Sequence, residues 1–282
     1  MKVIIQSSVV VLFLFCGFFM AQNIRVAYDY EFALDSTNLA DKKSELMYLD
    51  INEKGSKFYS YQVFRDDSLA QERLKAYKNG GNISLRENFT GTFRQIVEKK
   101  YPDRSTNTFV NLGQDFYVVE EKPHSFKWEI LNEKVFISNV EVIKATTFAF
   151  GRRWYAYFAP QYTFHDGPWK FSGLPGLILK IEDEKKSHVF NFAGLVNLPN
   201  NDWISEKSSR KKYIPINSVQ YKKVFLNDRN KSARLEESFG GGLVRFEVSD
   251  ESGKKLNLRE VQEMRDKLKL KTNNILDLDL LK

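Results

Sequence analysis

Apolar and polar side chains alternate along much of this chain. The clearest case near the amino terminus places apolar residues at every second position: Ile24, Val26, Tyr28, Tyr30 and Phe32. Successive side chains of a strand point to opposite faces of the sheet, so this period of two collects the apolar groups on one face. The pattern predicts a β-strand with one face buried and the other in water.

The same alternation recurs and predicts a series of strands joined by short connections. The further strands are expected at 47–51, 58–64, 115–120, 124–131, 134–138, 140–150, 152–158, 177–182 and 187–195. Polar or glycine-containing segments at 53–56, 121–123, 132–133 and 183–186 are short enough for hairpin loops. Gly151 and Arg152 are expected to form a type II′ turn, because glycine suits its first central position. Residues 82–111 show no clear period, and the polar tract 228–242 predicts a mobile loop or edge.

Helices are predicted at only two places. Residues 67–78 space Leu69, Leu74 and Tyr77 amphipathically and are followed by two glycines that stop a helix. Residues 257–271 begin with Asn257 as a cap and Glu260 three positions later, which is a capping-box arrangement. The chain is therefore predicted to be mainly β with a few helices.

A flat apolar sheet face cannot be left in water, so a sheet of this size must close or curve around something. We expect a curved antiparallel meander sheet or half-barrel, with a helix in or against its concave face. A β-sandwich is the alternative. Aromatic residues make up 14% of the chain, and aromatics suit the half-buried surface of a pleated sheet.

The first residues have the pattern of a secretory signal peptide. Lys2 precedes an apolar stretch that is shorter than the roughly 20 residues needed to span a bilayer, and no later window approaches that length. Cleavage is expected after Ala21 or Gln22. The only cysteine, Cys16, lies in this leader and follows Phe15, so we expect no lipid anchor and no thiol chemistry in the mature protein. Residues 22–282 are predicted to form a single exported β-rich domain.

The net charge narrows the classes of partner. The chain carries 43 Lys and Arg against 36 Asp and Glu, a formal charge of +7. Outside the cytoplasm such an excess favours peripheral contact with lipid head groups, lipopolysaccharide or acidic glycans, and we expect no nucleic-acid partner. The location predicted is the periplasm or the periphery of the outer membrane.

An unusually apolar turn lies within the stretch GPWKFSGLPGLILKIED at 167–183. Leu174-Pro175-Gly176-Leu177 has the residues of a type II turn, because Pro175 presets φ at the second position and Gly176 takes positive φ at the third. Since leucine stands on both sides, the turn is expected either to enter the protein's own core or to contact a partner.

This motif resembles the signature of the GLPGLI family of envelope proteins from the Bacteroidetes. The resemblance covers about residues 140–195 and includes upstream matches at Lys144-Ala145, Phe150-Gly151-Arg152, Trp154 and Ala156. That family has no assigned activity, so the resemblance implies an envelope protein without implying a reaction. Other members often carry a cysteine near the position of Val142, which this chain lacks.

The leading hypothesis is a non-catalytic protein that binds an apolar or peptide-like partner, or another envelope protein, without a cofactor. Aromatic and arginine side chains together are typical of binding hot spots, and also of a packed β core. The candidate binding residues lie at and near the motif: Arg152, Trp154, Tyr157, Trp169, Phe171, Leu174, Pro175 and Leu177. A purely structural envelope protein is a second hypothesis.

An envelope hydrolase is the third hypothesis. In this hypothesis His165, beside the carboxylate of Asp166, would act as a general base, and Ser172 or a water molecule would be the nucleophile. The Gly-x-Ser-x-Gly pattern of a nucleophile elbow is absent around Ser172. Metal binding is not expected: the three histidines lack zinc spacing, and the acidic cluster 182–184 is explained as a charged hairpin tip.

Overall fold

The computed structural model of the protein describes residues 23–66, 68–69, 91–113, 115–198, 205–209, 211–232, 236–239, 242–245, 247–250 and 252–282. The predicted signal peptide at 1–21 lies outside these residues, as does most of the helix predicted at 67–78. Residues 61–66 and 68–69 are helical.

The described residues are dominated by β-strands. In chain order they are β1 Ile24–Ala33, β2 Lys42–Asn52, β3 Gly55–Ser60, β4 Ile96–Lys100, β5 Thr106–Leu112, β6 Asp115–Glu121, β7 Glu129–Ile137, β8 Val140–Ala149, β9 Arg152–Ala159, β10 Leu177–Asp183, β11 His188–Asn197, β12 Tyr213–Ile216, β13 Glu236–Phe239 and β14 Gly242–Arg245. Strands β13 and β14 form a separate antiparallel pair.

The other twelve strands form one open sheet. Their order is β12-β6-β5-β4-β3-β2-β1-β11-β10-β9-β8-β7, and every neighbouring pair is antiparallel except β12 with β6. The prediction of a mainly β protein built on a mostly antiparallel sheet is confirmed. The sheet does not close into a barrel, since β12 and β7 lie at opposite edges.

Burial follows the predicted alternation. Val26, Tyr28, Tyr30 and Phe32 are buried, whereas the residues between them on β1 are half-buried or exposed. The buried faces of the central strands share one apolar core, which also includes Trp169, Phe171 and Leu174 from the connection between β9 and β10.

Several predicted connections differ from the structure. The strand predicted at 58–64 ends at Ser60, because residue 61 begins the helical segment. The predicted strands 124–131 and 134–138 are replaced by the single strand β7, with a bulge between Ile130 and Lys134 in place of a hairpin at 132–133. The turn to β8 comes later, at Ser138 and Asn139, which both have positive φ.

The turn between β8 and β9 is also of another type than predicted. Ala149 pairs with Arg152, so Phe150 and Gly151 are its two central residues. Both have positive φ, 55° and 73°, which defines a type I′ turn and not the expected II′ turn.

Two α-helices follow the large sheet: α1 Ser218–Asn230 and α2 Leu258–Lys271. The predicted cap of α2 is confirmed, because Asn257 and Glu260 form a capping box. Helix α1 was not predicted; it contacts β5 and β6 and buries Tyr221 in a second, smaller core. The described residues also include two short 3-10 helices, Glu206–Ser208 and Leu278–Leu281.

The loop at 166–176 packs against the buried face of the large sheet, with the ring of Phe171 4.8 Å from that of Trp154 on β9. Helix α2 is largely exposed and buries only Val261.

Candidate functional site

Most of the candidate binding residues lie inside the large core. Five of the eight are 1% exposed or less: Trp154, Trp169, Phe171, Leu174 and Leu177. Tyr157 is half-buried on the opposite face of β9, Pro175 is exposed, and Arg152 is 7% exposed. The apolar turn therefore enters the protein's own core, which is one of the two outcomes predicted for it.

The turn is held very close to the end of β9. Gly176 N donates to Leu174 O at 2.8 Å, so the turn closes over three residues around Pro175 and differs from the predicted type II turn. Gly176 has the expected positive φ, 151°. A Cβ at this position would lie 2.4 Å from Ala159 O, so glycine is required for both reasons.

A buried polar cluster fixes the 166–176 loop to β4. The ammonium group of Lys99 contacts the carboxylate of Asp166, and the two side chains are 1% and 0% exposed. Lys99 Nζ also donates to the carbonyl oxygens of Gly167 at 2.7 Å and Phe171 at 3.1 Å. Tyr101 Oη and Gly167 N donate to the two oxygens of Asp166. We call Lys99, Tyr101, Asp166 and their two carbonyl partners the lysine cluster.

Burial has a marked electrostatic effect in the lysine cluster. It lowers the pKa of Lys99, and the negative charge of Asp166 opposes that effect. Sequence reasoning missed this lysine because it lies in a segment without a clear period. The signal that could have found Lys99 is its position two residues after Val97. Residues two apart in a strand lie on the same face, and Val97 is buried.

The residues of the hydrolase hypothesis do not converge. His165 is exposed, whereas the neighbouring Asp166 is fully buried and engaged in the lysine cluster. Ser172 faces Asp166 only through a backbone β-bridge, and its carbonyl accepts from Trp128 Nε1 at 2.9 Å. Within the residues that the structure describes, no hydrogen bond links the side chains of His165, Asp166 and Ser172.

A second buried polar cluster surrounds Arg152. Its guanidinium contacts Asp183 at 2.9 Å, and it donates to Asn274 Oδ1 and Ile275 O at 2.6 Å each. Asp183 also accepts from Ser187 Oγ at 2.7 Å. These contacts attach the carboxy-terminal segment to the β10–β11 hairpin, so the guanidinium of Arg152 is engaged within the protein.

His188 lies beside this cluster. Its Nδ1 is 2.7 Å from Tyr30 Oη, and its Nε2 is 3.0 Å from Asn274 O. Because a carbonyl only accepts, Nε2 carries the proton and Nδ1 accepts from the tyrosine, which is the neutral form. Burial, and then the charge of Arg152, lower the pKa of His188 from 6.5 to about 3.

We expect this histidine to make the protein sensitive to acid. Below pH 6.5 the unfolded chain binds a proton at His188 that the folded protein excludes, so the free energy of unfolding falls as the pH falls, down to about 3. The contribution is about 1.4 kcal/mol per pH unit. Urea unfolding at pH 7 and pH 4.5 should show that His188→Gln has a smaller acid loss than the wild type by roughly 2 to 3 kcal/mol. His165→Gln, at an exposed position, should retain the full loss; an equal loss in His188→Gln would contradict the prediction.

The acidic cluster predicted as a hairpin tip has internal partners. Glu182 is 3.0 Å from Lys180, and Asp183 belongs to the Arg152 cluster. Across the described parts of the chain, no group of three or more His, Cys, Asp or Glu residues is arranged to hold a metal ion. No helix in those parts has the length and apolar character of a membrane span.

A polar groove of about 400 Å³ opens beside the start of β7. The segment 124–128 precedes β7 and is not part of the β7–β8 pairing, which begins at Glu129 and Thr146. The groove is lined by Ser125, Lys127, Glu129, Thr146, Thr147, Phe148 and Arg153. Phe148 is 68% exposed, and the buried hydroxyl of Thr147 has no hydrogen-bond partner among the described residues.

Strand β7 forms one edge of the large sheet and is continuous with this groove. It has nine residues, and no described strand pairs with its outer side. Ile130 and Phe136 on β7 are 52% and 72% exposed. The opposite edge, β12, has only four residues and includes Pro215, which lacks an N–H group.

These features define a class of mainly β protein with an open, mostly antiparallel sheet and one long edge strand that carries both apolar and charged residues. Models of known protein families give no match to the chain, and no curated protein matches it. Two solved structures of PNGF-II, in P21 and C2 space groups, are similar with a TM-score of 0.51 and 12% sequence identity. Each match covers 81% of this chain but 41% of the PNGF-II chain, and at this identity the likeness concerns the fold alone.

Proposed function

We propose that this is an exported, non-catalytic envelope protein of the GLPGLI type that binds an extended peptide-like partner along the outer edge of β7. The observation that carries the proposal is this nine-residue edge with its exposed Ile130 and Phe136. An extended backbone added to a sheet edge satisfies the edge's unpaired N–H and C=O groups, and side chains at alternate positions supply specificity.

The surroundings of the edge support a polypeptide as the partner. The groove at the start of β7 is lined by two basic side chains, Lys127 and Arg153, and one acidic side chain, Glu129. It also contains the exposed ring of Phe148. A chain running along β7 would place its apolar side chains near Ile130 and Phe136 and its polar groups in the groove. The binding surface proposed here is therefore the sheet edge, and not the core residues at the GLPGL motif.

A purely structural role is the second candidate, and the packed core favours it. Trp154, Trp169 and Phe171 are buried in the large core and so are taken up by the protein's own packing. The charged residues Glu133 and Lys134 on β7 are also typical of an edge protected against unwanted pairing. The two candidates differ in whether the β7 edge accepts an added strand.

Hydrogen exchange with synthetic peptides tests the proposal. The probe is a set of capped decapeptides with alternating apolar and polar residues, and the control set has the same sequences except for proline at every second position. We expect the first set to protect alternate amides within 129–137, because every second amide of β7 points away from β8. The proline peptides should give no protection, because each proline lacks the N–H group that a residue in the strand ladder must donate.

Substitutions then locate the contact. Ile130→Lys and Phe136→Lys should each weaken binding about tenfold, equivalent to about 1.4 kcal/mol. Val219→Lys is the matched control, because Val219 is 80% exposed on the unrelated helix α1. Unchanged binding in both β7 variants, or absence of protection in β7, would support the structural role instead. If the amides of β7 become more protected as the protein concentration rises in the absence of peptide, the partner at this edge is a second copy of the chain.

A further inference from the structure

The lysine cluster contains all the groups needed to form an amide bond between two side chains. Lys99 supplies an amine and Asp166 a carboxyl group, and the two are in contact with at most 1% exposure to water. They are separated by 67 positions, on β4 and on the 166–176 loop. This arrangement does not depend on the function proposed for the β7 edge.

We propose that Lys99 and Asp166 condense to an isopeptide bond that covalently joins β4 to the 166–176 loop. The proposal rests on the contact of the two side chains, their complete burial and the directions of the hydrogen bonds around them. It assigns a self-catalysed modification to a chain whose single cysteine excludes an internal disulfide.

The hydrogen bonds direct the amine lone pair toward the carboxyl group. Lys99 Nζ donates to Gly167 O at 2.7 Å and Phe171 O at 3.1 Å. A neutral amine has two N–H groups, and these two carbonyls accept both of them. The lone pair is then left on the side that faces Asp166.

The carboxyl group is held by two donors. Tyr101 Oη donates to Oδ2, and Gly167 N donates to Oδ1 at 2.6 Å. The hydroxyl of Tyr101 is placed where negative charge develops on Oδ2 when the carbon is attacked. Stabilising such a charge with a preorganised donor is the principle of an oxyanion hole.

The reaction balances with water as the only by-product. A proton first moves from the Lys99 ammonium group to Oδ1 of Asp166, giving an uncharged pair. The Nζ lone pair attacks Cγ, a C–N bond forms, and the bond from Cγ to Oδ1 breaks. The departing hydroxyl takes a proton from nitrogen and leaves as water. The amide nitrogen of the product keeps one hydrogen, which it donates to the carbonyl oxygen of Gly167 or Phe171.

Burial favours each stage of this reaction. A dry site disfavours two separate charges and so promotes the uncharged pair, which agrees with the lowered pKa of Lys99. Holding the reacting groups in contact provides effective molarities on the order of 10⁵ M or more. Exclusion of water also prevents hydrolysis of the product.

Mass spectrometry of the purified full-length protein, after natural processing, tests the bond. The intact mass should be about 18 Da below that of the unmodified sequence, the mass of one water molecule. Trypsin should release a branched peptide in which 95–100 is joined to 154–170, and tandem spectra should place the junction at Lys99 and Asp166. A full unmodified mass with free cleavage after Lys99 would overturn the proposal and leave an ordinary ion pair.

Three variants separate chemistry from structure. Lys99→Met should have no mass deficit. Asp166→Asn should form the same amide by losing ammonia, so its cross-linked product should have the same mass as that of the wild type. Tyr101→Phe keeps both reacting groups and should slow the appearance of the branched peptide at least tenfold. Equal rates in Tyr101→Phe and the wild type would contradict the role given to the tyrosine hydroxyl.

Discussion

Arg152→Met should destabilise the protein by about 3 to 5 kcal/mol. The substitution removes the guanidinium that contacts Asp183, Asn274 and Ile275 O. The carboxylate of Asp183 is only 3% exposed, and it would remain buried without its cation. An uncompensated buried charge costs far more than the net stability of the original pair. Urea unfolding at pH 7 measures the loss.

Two further variants identify the cause of that loss. Arg153→Met changes the same residue type at the neighbouring exposed position and should cost less than about 0.5 kcal/mol. Adding Asp183→Asn to Arg152→Met removes the unpaired charge and should recover at least about 1 kcal/mol. If the double variant is less stable than Arg152→Met, loss of packing and not the stranded charge explains the effect.

Gly176→Ala should cost about 3 kcal/mol, because it combines backbone strain with a collision. The φ of Gly176 is 151°, which side chains rarely adopt, and an added Cβ would lie 2.4 Å from Ala159 O. Strained backbone costs roughly 1 to 3 kcal/mol, and overpacking a buried site costs a similar amount. Chemical denaturation of the purified variant gives the change in free energy of unfolding.

Gly194→Ala is the matched control for this glycine. Gly194 lies in β11 opposite Ala27, and a Cβ there would meet no atom within 4 Å. We expect this substitution to be neutral or slightly stabilising, because alanine reduces the freedom of the unfolded chain. A loss in Gly176→Ala no larger than that in Gly194→Ala would mean that the GLPGL turn tolerates a side chain.

These two variants also separate the roles of the conspicuous motif residues. In the sequence, Arg152 is a candidate binding residue and Gly176 is the positive-φ position of the apolar turn. The structure engages both internally, through an ion-pair cluster and through a close backbone approach. A large loss of stability in both variants would be consistent with a motif that builds the core.

Local structure was accessible from the sequence wherever neighbouring residues decide it. Alternation of apolar side chains predicted β1 and β2, because a strand with one wet face needs that period. The capping box of α2 and the positive φ of Gly176 followed from side-chain chemistry within a few residues. Helix α1 was missed, although Asn217 and Gln220 form a capping box, because it buries only Tyr221 and so lacks a strong apolar stripe.

Only the tertiary structure decided which distant residues contact each other. Lys99 meets Asp166 across 67 positions, and Arg152 meets Asn274 across 122. The sequence by itself determined a mainly β chain with one apolar sheet face. It also determined a leucine-flanked turn that must either enter the protein's core or contact a partner. Strand order, the position of β7 at an edge of the described sheet and the buried ion pairs depend on long-range packing. A local period of two carries no information about which distant strands become neighbours.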